Sequence, residues 1–318
     1  MARPVCLIVN PSAGGGRSLR IAPAVERTLR ERGVAVRRVD TRDVEHARTL
    51  AREAAAAGET VAALSGDGLI GVIADALRGI DGAVLAVLPG GRGNDLARVL
   101  GIPDDPAAAA EVILTGRPRP LDLGLVQATA GEDSGRAFVG IASAGFDSDA
   151  NRIANEAPAW LGGLVYAYGA LRALLSWRPA QFELELDTGE RHTCTGYSVV
   201  VANSRAYGGG MYVAPDAMLD DGLLDVVLSS KTSKLRFLAS LPRVFKGTHV
   251  ELPEVRVLRA RALTVSADRP FQMYADGDPI GALPVRISAL PGAVTAIVPA
   301  AGSPALATPP PGAVPADA

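Results

Sequence analysis

Lysine is almost missing from this chain of 318 residues. It occurs only as Lys231, Lys234 and Lys246, so the first 230 residues hold none. The N-terminal half therefore lacks both the lysine of a Walker-type phosphate loop and one that could form a Schiff base. Aromatic residues are only 4% of the chain, so a core has to be built from Ala, Val, Leu and Ile. There is no excess of either charge: 32 basic residues face 34 acidic ones, and the net charge of −2 argues against a dedicated nucleic-acid binder. Cys6 and Cys194 are the two cysteines, far apart in apolar or β-like contexts. They predict buried free thiols rather than a disulfide framework. His46, His192 and His249 show no metal-ligand spacing, which excludes an ordinary zinc site. Long hydrophobic runs are absent too. Val5–Val9 is too short for a signal-peptide core, and the uncharged stretch from Ala157 to Leu171 is broken by Pro158 and three glycines. A soluble, cytoplasmic protein of undefined oligomeric state is expected.

With 48% apolar and 21% charged residues, what is present reads as globular, and the length suits two domains. Residues 1–125 alternate strand and helix. Strands are expected at Val5–Val9, Val34–Asp40, Val61–Leu64 and Val84–Leu88, with helices at Ser18–Arg32, Val44–Ala57, Leu69–Leu77 and Asn94–Leu100. That rhythm predicts a doubly wound parallel sheet. Residues 126–299 are strand-rich, from Ala137–Ala144 through Val285–Ser288, which predicts an antiparallel sheet or sandwich. Helices interrupt it at Leu161–Ser176 and Lys234–Phe245. Residues 300–318 are rich in Pro and Ala and are expected to be disordered.

In open α/β sheets ligands bind beyond the carboxyl ends of the strands. Three glycine-rich loops fall there: Asn10-Pro11-Ser12-Ala13-Gly14-Gly15-Gly16, Ser65-Gly66-Asp67-Gly68, and Pro89-Gly90-Gly91-Arg92-Gly93-Asn94-Asp95. Glycine lets backbone N–H groups approach a polyanion, and each loop opens a helix whose N-terminus favours negative charge. One such loop would be an ordinary turn; three on one edge point to phosphate binding. Gly66, Gly68 and Gly71 also spell the G-x-G-x-x-G dinucleotide fingerprint. That fingerprint wants an acidic residue at the end of the next strand, where Pro89-Gly90 stands instead. An NAD-dependent oxidoreductase is thus the weaker reading.

Together these loops resemble the nucleotide loops of the diacylglycerol kinase catalytic family, which includes bacterial lipid kinases and the sphingosine and ceramide kinases. The resemblance continues through Asn203 to Val226, with Gly208-Gly209-Gly210-Met211, Ala214-Pro215-Asp216-Ala217 and Asp220-Asp221-Gly222-Leu223-Leu224-Asp225, and at Asp276-Gly277-Asp278. It implies an α/β fold: a doubly wound nucleotide domain like those of NAD kinase and phosphofructokinase, then a C-terminal antiparallel β-sandwich, with the active site between them. It implies an ATP- and magnesium-dependent kinase acting on a lipid such as diacylglycerol. Asn10, Pro11, Ser12, Ala13, Gly14 and Thr41 would contact ATP, as would Gly66, Asp67, Gly68, Leu69, Ile70, Gly71, Val72, Arg92, Asn94 and Asp95. The family's magnesium site falls on Met218, Asp221 and Leu223, two of them through carbonyls; read without the resemblance, Asp220-Asp221-Gly222 is a hairpin turn. Asp278 stands where the family has its catalytic Glu, and Asp67 is the second candidate base. Leu69 and Val72 replace the family's Thr and Glu, and Arg92 replaces a small Thr or Ser. These departures keep open a kinase-like binding protein without catalysis.

A soluble enzyme acting on a lipid has to meet a membrane. Between Val226 and Val250 lie Lys231, Lys234, Arg236, Arg243 and Lys246 and no acidic residue, interleaved with apolar side chains. A cationic helix on anionic lipid and an ordinary helix with a solvated face are equally good readings. Trp160–Trp177 reads as a core helix or an acyl groove, and Asp147 and Asp149 as surface residues or head-group ligands. Which lipid is phosphorylated is not written in the sequence.

Overall fold

The computed structural model describes residues 3–129, 135–146, 153, 168–169, 172–174 and 177–307. Strands β1 (Val5–Val9), β2 (Val36–Asp40), β3 (Thr60–Ser65) and β4 (Val84–Pro89) pair in parallel in the order β2-β1-β3-β4. All five residues of β1 and all six of β3 are buried, as continuous apolar strands covered on both faces should be. Helices α1 (Arg17–Glu31), α2 (Val44–Ala56), α3 (Asp67–Leu77), α4 (Asp95–Leu100) and α5 (Pro106–Thr115) complete this half. Asp43 caps α2 by accepting the His46 N–H at 2.7 Å, and Asp105 caps α5 ahead of Pro106. Cys6 and Cys194 are free and buried.

The second half comprises β5 (Arg117–Ala128), β6 (Arg136–Phe138), β7 (Ile141–Gly145), β8 (Ala180–Leu186), β9 (Arg191–Ala202), β10 (Leu224–Ser230), helix α6 (Lys234–Val244), β11 (Val255–Ala260), β12 (Ala262–Ala267), β13 (Gln272–Ala275), β14 (Asp278–Ala282) and β15 (Val285–Val298). All but one of its strand pairs are antiparallel, and a separate core, including Phe138, Phe182, Val199, Leu263 and Met273, fills it. In β8 every second residue is buried, the mark of a strand with one face on a core.

The halves share backbone hydrogen bonds. β15 is antiparallel to β12 and β5 and, at its far end, parallel to β4, with Thr295 opposite Val84. The expected domain boundary at 125/126 therefore falls inside β5. Neither strand is legible at full length. Pro118 and Pro120 interrupt β5; two residues apart, they place their missing N–H groups on the same edge of the strand. Pro291-Gly292 reads as a turn but is a bulge, where the β15 register shifts between Leu290 and Val294 and Gly292 takes φ +59°.

One expectation needs correcting. The first residues of the tail are packed, not disordered. Ala305 and Leu306 are buried, Leu219 N–H donates to Ala305 O at 2.8 Å, and Ala307 N–H donates to Asp220 Oδ1 at 2.7 Å. Residues 308–318 lie outside the described residues, as do Asp147, Asp149 and most of the Leu161–Ser176 helix and the Trp160–Trp177 groove. Among the described residues no helix is long and apolar enough to cross a membrane.

Candidate active site

The three glycine loops meet backbone to backbone. A β-carbon on Gly14 would lie 2.6 Å from Gly90 O, and one on Gly91 would lie 2.5 Å from Gly66 Cα. Part of the glycine requirement is thus mutual approach of the loops, beside any approach to a ligand. Asn10 fastens the first loop to the second. Its Oδ1 accepts from Ser12 N (3.2 Å) and Ser12 Oγ (2.9 Å), and its Nδ2 donates to Ser65 Oγ at 3.2 Å. Asn94 clamps the third loop: its Oδ1 accepts the Gly91 N–H at 2.7 Å and its Nδ2 donates to Gly91 O at 3.2 Å, from a backbone at φ +53°.

A cavity of about 760 Å³ opens beside these loops. Of the predicted nucleotide residues, Asn10, Ala13, Gly14, Gly66, Asp67, Gly68, Leu69, Arg92 and Asp95 line it. Pro11, Ser12, Thr41, Ile70, Gly71, Val72 and Asn94 do not. Thr41 is buried, its N–H on Val9 O at 2.8 Å, and Ile70 and Val72 are buried on α3. Val72, which stands where the family has Glu, is buried.

Three carboxylates, Asp67, Asp95 and Asp276, line the polar end, and a fourth, Asp278, lies beside Gly68 just outside the lining. Asp67 Oδ1 accepts the Leu96 N–H at 3.0 Å, and its other oxygen has no partner among the described residues. Asp95 Oδ2 accepts the Gly209 N–H at 2.7 Å, tying the third loop to Gly208-Gly209-Gly210 of the second half. Burial raises the Asp95 pKa, and the charge of Asp67 adds to that. Asp276 and Gly277, at φ +50° and +95°, form the two-residue turn between β13 and β14. The Asp276 side chain reaches back to accept N–H groups of Val139, Gly140 and Ile141 at 2.9, 2.9 and 3.2 Å. Asp278, next after the turn, is exposed, and its carboxylate has no hydrogen-bond partner among the described residues. A β-carbon on Gly68 would lie 3.4 Å from its Oδ2. The turn thus sets Asp278 over the start of α3, next door to Asp67.

The same turn accounts for the dinucleotide-like spacing. A β-carbon on Gly71 would lie 2.6 Å from Asp276 Oδ2, and one on Gly68 would lie 3.2 Å from Asp276 O. Gly68 and Gly71 thus make room for the Asp276-Gly277-Asp278 turn, which accounts for their spacing without a dinucleotide. The oxidoreductase reading loses its motif.

Met218, Asp221 and Leu223 line no part of the cavity. Asp221 Oδ1 accepts the Leu223 N–H at 3.0 Å, and its other oxygen is paired with Arg259. The Met218 sulfur takes Arg205 Nη2 at 3.1 Å. Arg259 thus stands beside the one carboxylate of the expected magnesium set. Among the described residues no three His, Cys, Asp or Glu side chains converge as a metal site.

The other end of the cavity is apolar. Ile141, Phe146, Met211, Leu238, Leu241 and Phe245 line it, with Tyr207 and Tyr274. These residues come from β7 and its end, the segment before β10, α6 and its end, and β13, scattered over more than a hundred positions, and only α6 and the Gly208-Gly209-Gly210-Met211 stretch carry a readable signal. Asp276 was passed over for a different reason: it looked like a mere neighbour of Asp278, and the one clue to its anchoring role was the Asp-Gly turn itself.

Asp276 also carries a pH signature. The residue is half-buried overall, but its carboxylate is enclosed. Burial, with Asp67 adding, raises it to about 7 against the pull of its three amide donors. Asp225 is raised by burial to about 6, with Arg259 opposing. Raised carboxylates bind protons more tightly in the folded state, so their stabilisation is complete at low pH and is lost as pH rises through about 6 to 7. The melting temperature of the ligand-free protein should fall between about pH 5 and pH 8, by the equivalent of a few kcal/mol per such group at most. Asp276→Asn, uncharged at every pH, should show a shallower slope; an unchanged slope would contradict the assignment.

Comparison with known proteins agrees with this geometry. Residues 4–126 match the diacylglycerol kinase catalytic domain, and residues 140–298 match the YegS C-terminal NAD kinase beta sandwich-like domain. The chain is 37% identical over 304 residues to a diacylglycerol kinase of Mycobacterium tuberculosis, covering 94% of this chain and 96% of that one. It is 35% identical over 311 residues to a "Probable lipid kinase YegS-like" of Pseudomonas aeruginosa, covering 96% and 97%. A crystal structure of a diacylglycerol kinase from Bacillus anthracis superposes with a TM-score of 0.72 over 94% of this chain and 98% of that one; at 20% identity it speaks for the fold alone. Fold and family models together describe an α/β domain followed by a β-sandwich domain. The chain belongs to the diacylglycerol kinase family of lipid kinases.

Proposed function

We propose that this protein transfers the γ-phosphate of ATP to the hydroxyl of a lipid such as diacylglycerol. The observation that carries the reading is the two-ended cavity: glycine loops and carboxylates at one end, an apolar wall at the other, in a single space of about 760 Å³. Phosphoryl transfer needs positioning and charge neutralisation more than covalent help from the protein. The loops would hold the nucleotide phosphates. Arg92 is exposed, lines the cavity and has no partner among the described residues, so its guanidinium is available to phosphate oxygens. Asp278 would accept the proton of the lipid hydroxyl as it attacks.

Asp67 offers the open oxygen for magnesium at this loop. A β-carbon on Gly93 would lie 3.2 Å from Asp67 Oδ2 and 3.1 Å from Asp95 Oδ2, but Asp95 is already held by the Gly209 N–H and by Arg98. One or two carboxylates together with substrate phosphates is the usual magnesium environment. When bound, the ion neutralises phosphate charge.

Nucleotide choice is tested by thermal shift. ATP with magnesium at saturating concentration should raise the melting temperature by several degrees, and NAD should leave it unchanged. Stabilisation by NAD and not by ATP would reverse the assignment.

A further inference from the structure

Helix α6 carries two apolar stripes. Phe237, Leu241 and Val244 point inward; Phe237 stacks on Tyr197 with ring centroids 4.1 Å apart and meets Phe146 edge-on. Leu235, Leu238, Ala239, Pro242 and Phe245 repeat at the spacing of one helix face and are exposed, Leu235 by 81% and Phe245 by 52%. An apolar stripe of this kind on a charged helix marks a contact.

Two observations identify what it contacts. Leu238, Pro242 and Phe245 also line the cavity, so the stripe continues the cavity's apolar wall outward. Charge gives the second. All three lysines of the chain fall on or beside α6, and residues 226–250 hold no acid. The Lys231 and Lys246 side chains have no partner among the described residues, whereas Arg236 and Arg243 are committed to Glu254 and Glu251. Exposed leucine and phenylalanine between free lysines match a bilayer surface with anionic head groups. We infer that α6 docks on an anionic lipid bilayer, so that the apolar end of the cavity opens toward the membrane. This rests on the lipid-kinase reading for its purpose, but the docking is measured without it.

The full-length protein is sedimented with vesicles of phosphatidylcholine, with and without phosphatidylglycerol. It should bind the anionic vesicles, release them at high salt, and bind neutral ones far less. Leu235→Asp should weaken binding by roughly tenfold or more. The Lys231→Glu/Lys246→Glu variant should abolish the preference for anionic lipid. None of these residues lines the cavity. Phosphorylation of detergent-dispersed diacylglycerol should therefore stay at the wild-type rate in both variants, while phosphorylation of vesicle-borne diacylglycerol falls. Wild-type binding by both variants, or no binding by the parent, overturns the docking face whatever the kinase assay gives. So does a dimer in sedimentation velocity that Leu235→Asp dissolves without loss of vesicle binding, since the stripe would then serve a second copy. Failure to phosphorylate dispersed lipid, with vesicle binding as expected, would instead sink the kinase reading and leave the docking face standing.

Discussion

Asp278→Asn should lower turnover by on the order of 10²–10⁴-fold, the usual worth of a general base, with ATP affinity nearly unchanged. The substitution keeps shape and removes the basic oxygen. Little else should suffer, because the Asp278 carboxylate is exposed and hydrogen-bonded to nothing among the described residues. Asp67→Asn should behave differently. Asp67 holds the third loop through the Leu96 N–H and keeps its other oxygen open beside Gly93, so nucleotide and magnesium dependence should change together with turnover. Asp278→Glu restores the family's residue; its side chain is at the rim over Gly68, where one more methylene finds open space, and activity should be retained. Steady-state kinetics with both substrates varied separate these cases. A near-normal Asp278→Asn enzyme would move the base to Asp67 or leave the reaction without one.

Gly71→Ala should cost both stability and turnover. The new carbon would meet Asp276 Oδ2 at 2.6 Å, and Asp276 is held in place by the Val139, Gly140 and Ile141 N–H groups. A cost of about 1–3 kcal/mol is expected from overpacking, together with a displaced Asp276-Gly277-Asp278 turn and a loss of turnover. Asp276→Ala should also destabilise, by leaving the Val139, Gly140 and Ile141 N–H groups without their acceptor. The double variant decides the cause. With the carboxylate gone there is nothing to collide with, so the two costs should fall short of additive by roughly 0.5–3 kcal/mol in chemical denaturation. Strict additivity would mean that Gly71 serves some purpose other than clearing Asp276.

Most of the N-terminal half was legible, helix α5 excepted. β1, β3 and β4 are built on apolar runs, and Gly33 and Gly58 close the helices before β2 and β3. The same local logic failed where a strand carries proline. β5 and β15 look like loops around Pro118, Pro120 and Pro291, and their pairing, which joins the two halves, is set by partners far away in the chain. Residues of the polar end of the site were readable because glycine and aspartate cluster in sequence there. Roles were less readable than positions. Asn94 serves its own loop and Val72 is buried, while Asp221 is held by Arg259, a residue 38 positions on that no turn motif announces. The apolar wall was invisible because leucine, phenylalanine and methionine that line a cavity look the same in sequence as those that fill a core.

The most direct measurement is transfer itself. Purified protein is incubated with isotopically labelled ATP, magnesium and a panel of dispersed lipids (diacylglycerols, sphingoid bases and glycolipids), and the products are read by mass spectrometry. Labelled phosphate on a lipid hydroxyl, dependent on ATP and magnesium and lost in Asp278→Asn, is the predicted result. ATP binding with no labelled product from any lipid class, under conditions where the protein is folded and vesicle-competent, would contradict the account and leave a kinase-like binding protein in its place.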